Sequence, residues 1–85
     1  MKTLNEYMSM PYRMEIIPDT YEGGYIVRFP ELCGCLTCAD TLEKAIQNAE
    51  DAKKEWLTAA IEDGIEIPEP LSYDDYNSNI YKKMG

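Results

Sequence analysis

The sequence predicts an α+β domain of order β-β-β-α-β, an antiparallel meander sheet with one long helix laid across one face. Three observations carry this. Residues 40–64 hold apolar side chains at helical spacing, three short alternating stretches precede them between turn residues, and a further alternating stretch follows Gly64. At 85 residues and 45% apolar composition, the chain has room for one sheet and one helix, close to the lower limit of a self-supporting core. Residues 1–70 read as the domain and 71–85 as a polar tail or linker.

Residues 1–10 are weakly patterned, with Tyr7 and Met10 placed to close over an open edge of the core. Tyr12–Ile17 reads as the first strand, with Tyr12, Met14 and Ile16 on one face and Arg13, Glu15 and Ile17 on the other. Pro18 ends it, and Asp19–Gly24, with adjacent glycines, is a polar hairpin turn. Tyr25–Phe29 is the second strand, stopped by Pro30, and after the turn Glu31–Gly34 a short third strand runs over Cys35–Ala39.

In the helix, Leu42, Ala45, Ile46, Ala49, Ala52, Trp56, Leu57 and Ala60 recur at three- and four-residue steps and form one apolar face. Thr41 is the N-cap, since its hydroxyl accepts from a backbone N–H of the first turn, and Gly64 stands where a left-handed residue ends a helix. Lys53 misfits the apolar face, and its ammonium is expected to snorkel to water near an end of the sheet. Ile65 and Ile67 flank Glu66 as a short fourth strand closed by Pro68 and Pro70. Past Leu71 the composition turns polar, with a short strand expected over 80–83.

Sixteen acids against eight bases give a formal charge of −8. That surface repels nucleic acid, which binds through Lys and Arg on phosphate. It suits a basic protein partner, although solubility alone accounts for many acidic surfaces. No apolar run approaches the roughly 20 residues of a membrane span, and the N-terminus lacks the apolar block of a secretory signal, so the expected location is the cytoplasm. An odd number of cysteines, Cys33, Cys35 and Cys38, with no His anywhere in the chain, fits free thiols in a reducing compartment better than a disulfide framework or zinc. No metal or cofactor is expected.

The chain reads as a non-enzyme. Without His it lacks the commonest general base. Asp74 beside Asp75, and Asp19 near Glu22, lie in polar segments where carboxylates are ordinarily solvated, and Gly23-Gly24 does not lead into a helix as a phosphate loop must. The outward helix face is more informative. Asp51 and Glu55 stand four residues apart, a like-charge spacing that destabilises a helix by a few tenths of a kcal/mol, and Glu62 extends the same face. Lys54 is expected to relieve part of this by reaching Asp51 and Glu50.

Gly23-Gly24-Tyr25, Phe29-Pro30-Glu31-Leu32, Gly34-Cys35, Asp40-Thr41-Leu42-Glu43, Trp56, Asp63-Gly64 and Ile67-Pro68-Glu69-Pro70 stand in order and register. Together they resemble the N-terminal domain of HicB-type antitoxins, across essentially the whole chain. The resemblance implies a partial ribonuclease-H-like fold without catalytic acids. It also implies a function: neutralising a HicA-type toxin, a small basic mRNA-cleaving protein with a catalytic His, by covering its RNA-binding and catalytic surface. Carboxylates would then stand in for RNA phosphates, with Asp51, Glu55 and Glu62 on the helix and Glu31 in the family-like turn as the partner-binding candidates. The resemblance further implies a homo-oligomer, and the alternative reading is a stand-alone oligomeric scaffold or regulator without a toxin.

The departures matter as well. Cys33 stands where the family often has Pro, and Cys38 where a polar residue or Gly is usual. Lys44 replaces the acid that would complete a capping box with Thr41, which weakens the helix start. Family members continue into a DNA-binding domain, and Tyr76-Asn77-Ser78-Asn79-Ile80-Tyr81 resembles its lead-in. This chain is therefore not expected to bind nucleic acid directly.

Overall fold

A computed structural model describes residues 2–71, which form five elements: α1 (Leu4–Met8), β1 (Glu15–Pro18), β2 (Tyr25–Arg28), β3 (Leu36–Ala39) and α2 (Leu42–Asp63). The strands form one antiparallel sheet in the order β1-β2-β3. Ile16 stands opposite Val27 and Val27 opposite Thr37, a row that faces the helix layer. The α+β class and the meander are as the sequence predicts. The short strand expected over 80–83 lies outside the described residues.

The helix α2 packs on β3 and β2, and α1 packs on α2. β1 lies beyond the helix, so Ile16 stays 43% exposed although its row is the covered one. The core is Tyr12, Val27, Phe29, Leu32, Cys35, Ala45, Ala49 and Leu57, with Tyr7, Met10 and Trp56 packed against it. Val27, Leu32 and Leu57 are fully buried. Both ends of α2 are closed as expected. Thr41 Oγ1 accepts from Lys44 N at 3.2 Å. Gly64 (φ 68°) donates to Ile61 O, and Ile65 N donates to Ala60 O, the paired bonds of a Schellman motif. Between β2 and β3, Leu32 N bonds Phe29 O, Cys35 N bonds Leu32 O, and Phe29 N bonds Cys35 O, so the connection is tightly folded on itself.

Four expectations need correction. Residues 65–71 do not join the sheet as a fourth strand. The Ile65 N–H is already engaged by the helix cap, and Pro68 and Pro70 have no N–H to give to a ladder. Side chains hold the segment instead. Tyr12 Oη donates to Pro68 O at 2.6 Å, Leu71 N donates to Glu31 Oε2 at 2.8 Å, and Lys2 pairs with Glu69 at 2.7 Å. Glu69 in turn holds the Lys2 pKa above its ordinary value.

Second, the N-terminal residues form α1 rather than a patternless lead-in. Thr3 and Glu6 make a reciprocal capping box, with Glu6 N donating to Thr3 Oγ1 and Thr3 N to Glu6 Oε1. Third, Lys53 does not snorkel. Its side chain is buried midway along the inward stripe of α2, with Nζ 5.2 Å from the Phe29 ring centroid and 3.3 Å from Glu50 Oε2. Beta strand boundaries also tighten: β1 begins at Glu15 rather than Tyr12, because Arg13 N is drawn to Glu31 Oε1 at 2.8 Å.

Candidate partner-binding surface

On α2 every residue that points inward sets the direction of one that points outward. The buried residues Ala45, Ala49, Lys53, Leu57 and Ala60 lie on one line along the helix, which turns Asp51, Glu55 and Glu62 directly away from the sheet. All three are exposed. With Lys54, Thr58 and Ala59 they line a single shallow depression. Three of the four carboxylates that the sequence nominates are therefore brought together on a rigid, doubly capped helix.

Among the described residues none of the three carboxylates takes part in an ion pair or hydrogen bond. Lys54 does not reach Asp51 or Glu50; Glu50 is taken by Lys53 from the inner side. Thr58 Oγ1 donates to Lys54 O at 2.7 Å, which keeps that hydroxyl on its own helix. The result is a row of exposed carboxylates on one side of α2, open to donors from another molecule.

Glu31 is placed elsewhere. Its Oε1 accepts from Arg13 N and its Oε2 from Leu71 N, both at 2.8 Å. Both oxygens thus join three segments of this chain, and Glu31 does not line the depression on α2. A turn acid looks solvated in sequence because its partners here lie 18 and 40 residues away.

The cysteines do not converge. Cys35 is buried while Cys33 and Cys38 are exposed, and all three are free thiols. Burial raises the Cys35 pKa, against a smaller opposing effect of Lys53, so its thiolate is disfavoured and it is a poor nucleophile. The Cys33 carbonyl accepts from Trp56 Nε1 at 2.8 Å and so ties the turn before β3 to α2.

A second exposed surface escaped the reading of the sequence. The face of the sheet turned away from α2 carries Ile17, Ile26, Leu36 and Cys38. The signal was present, since each strand alternates between two partly apolar faces, but a single helix covers only one of them.

Residues 12–83 match the family described as the HicB_like antitoxin of bacterial toxin-antitoxin system. A UPF0150 protein of Synechocystis sp. is 39% identical over 51 residues, covering 60% of this chain and 68% of that protein. An uncharacterized 14.9 kDa protein from the rep-hol intergenic region of Haemophilus phage HP1 is 35% identical over 60 residues. That match covers 69% of this chain and 45% of the phage protein, so the chain spans less than half of that relative's length.

Proposed function

This chain belongs to the HicB-like antitoxins of bacterial toxin-antitoxin systems, and from that premise we propose that it is a binding module that neutralises a basic, HicA-type mRNA-cleaving toxin. The domain covers the toxin's RNA-binding and catalytic surface, and its carboxylates occupy positions that RNA phosphates would otherwise take. The observation that carries this reading is the outward row Asp51, Glu55 and Glu62, exposed and free of partners among the described residues. A formal charge of −8 adds a long-range field that steers a cationic partner inward. Glu31 drops out of the contact set and acts as an internal clamp.

The reading is non-catalytic: the domain blocks a ribonuclease and performs no chemistry of its own. It acts in the cytoplasm, where the toxin's mRNA substrate lies, and we read its fold as the partial ribonuclease-H-like fold of its family. It needs no metal or cofactor, and this chain does not itself bind nucleic acid.

Titration calorimetry of the toxin against Asp51→Lys/Glu55→Lys at two salt concentrations tests the proposal, with circular dichroism as the folding control. The double reversal is expected to weaken binding by on the order of 2 kcal/mol or more at low salt, with a smaller difference at high salt as screening shortens the reach of each charge. Unchanged affinity at low salt would place the interface away from α2.

A further inference from the structure

Where α2 ends, α1 and the segment after Gly64 close around a pocket of about 210 Å³. Tyr7 from α1, Ile61 from α2 and Ile65 and Ile67 from the segment form its apolar walls, beside buried Ala60 and exposed Glu66. The local sequence makes this pocket. Gly64 takes a left-handed conformation, and the N–H groups of Gly64 and Ile65 are spent on the helix cap. The chain therefore turns back beside the helix end, and Ile65 is left 56% exposed.

Size limits the occupant. A cavity of ~150 Å³ holds one benzene-sized group, whereas pockets for whole small-molecule ligands run from roughly 300 Å³ upward. This pocket fits a single large apolar side chain.

Charge selects the molecule that carries that side chain. The carbonyl end of a helix favours cations, yet the last turn of α2 holds no base. Glu62 and Asp63 stand there instead, with Glu66 just beyond. All three are exposed, and none is in an ion pair or hydrogen bond among the described residues. Carboxylates at this end weaken the helix, and an arriving ammonium or guanidinium offsets that cost. The pocket also adjoins the depression on α2, since Ile61 lines the one and Glu62 the other.

We propose that the pocket receives one aliphatic or aromatic side chain of a basic protein partner, flanked by Lys or Arg that meet Glu62, Asp63 and Glu66. This rests on the reading of the partner as a basic toxin, and adds to it an apolar anchor at the C-terminal end of the carboxylate row. Anchors seated in fitted pockets carry much of the affinity of an interface, while charges at its rim act mainly on the rate of encounter. The row then governs how fast the partner arrives, and the pocket how long it stays.

Nitrogen-15 spectra of the 85-residue chain, titrated with blocked tripeptides, read the pocket without the toxin. Lys-Trp-Lys is expected to shift the amides of Ile61, Ile65 and Glu66, Lys-Gly-Lys to shift them far less, and Glu-Trp-Glu to leave them in place. Ile65→Ala, at an exposed site, removes the Lys-Trp-Lys shifts and keeps the parent circular dichroism, whereas Asn48→Lys keeps the shifts. Calorimetry with a HicA-type toxin then separates the anchor from the carboxylate row. Ile65→Ala weakens binding by about tenfold, alike at low and high salt, while the effect of Asp51→Lys/Glu55→Lys shrinks as salt rises. A double reversal that weakens binding, with Ile65→Ala binding like the parent, overturns the pocket and leaves the toxin reading standing. Loss for Ile65→Ala alone supports the pocket and moves the row. If the parent binds no toxin, the toxin reading falls and the tripeptide spectra alone decide the pocket. Shifts that are equal for Glu-Trp-Glu, or that fall only at Asp51 and Glu55, overturn the proposal.

Discussion

The inward and outward faces of α2 handle charge in opposite ways. Inward, one lysine lies buried among alanines and Leu57, and its ammonium meets Glu50 and the ring of Phe29. Outward, Asp51, Glu55 and Glu62 stand exposed with no partner among the described residues. A charge inside a small core persists only when it is met by an opposite charge or a π face, because desolvation is otherwise severe. On the surface water solvates each carboxylate, and like charges at helical spacing weaken the helix only slightly. The inner face therefore governs whether the domain folds, and the outer face contributes little to it.

The most severe way to probe this contrast is Leu57→Ala. Leu57 is fully buried, and truncation there should cost about 2–5 kcal/mol, a large share of a small domain's stability. Urea unfolding measures it, and toxin affinity per folded molecule should stay unchanged. A loss below about 1 kcal/mol would remove Leu57 from the centre of the core.

Lys53→Met sharpens the comparison. Methionine keeps the stem over Phe29 and removes the buried ammonium, and Glu50, with its side chain 48% exposed, can return to water. Stability should remain within about 1 kcal/mol of the parent or rise, as when buried ion pairs are replaced by well-packed apolar groups. A loss of about 3 kcal/mol or more would show that the charge itself holds the layers together.

Tyr12 gives the inner layer a pH signature. Burial, foremost, pushes its phenol from 10.0 up to about 12. Above the unfolded value the unfolded chain releases this proton while the folded chain keeps it. The contribution of Tyr12 is therefore complete below pH 10 and is lost as pH rises toward 12. Tyr12→Phe loses the bond to Pro68 O, at about 1 kcal/mol near neutral pH, and should flatten the alkaline decline in a series of melts. An unchanged decline would assign it to other groups.

The smallest effect belongs to the outer face. Asp51→Asn with Glu55→Gln should shift stability by no more than about 0.5 kcal/mol, toward greater stability, because the like-charge pair is removed. A loss above 1 kcal/mol would mean that these carboxylates hold the fold as well as facing outward.

What was legible in the sequence follows the range of the interactions involved. The helix, its caps at Thr41 and Gly64, the meander and the outward acids depend on periodicity and neighbours within a few residues, and these are read directly from spacing. The capping box of Thr3 and Glu6 was equally local and could have been found; with only five helical residues, Leu4, Tyr7 and Met8 give a stripe too short to stand out as periodic. The segment from Ile65 to Ile67 alternates like a strand, but strand pairing depends on free donors, and the helix cap and the prolines remove them. Glu31 and Lys53 were opaque for another reason. Their environments are made by residues distant in the chain, and only the packed fold puts Arg13, Leu71 or Phe29 beside them.

The bond from Trp56 Nε1 to Cys33 O has an optical consequence. This indole is the single tryptophan of the chain, and it lies where α2 meets the turn that leads into β3. Its emission colour and quenching report directly on whether helix and sheet remain in register. The outward carboxylates and the outer sheet face lie on either side of that junction, so substitutions on either surface can be screened by fluorescence alone. A variant that fails to bind but emits like the parent has lost a contact, and a red-shifted one has lost its fold.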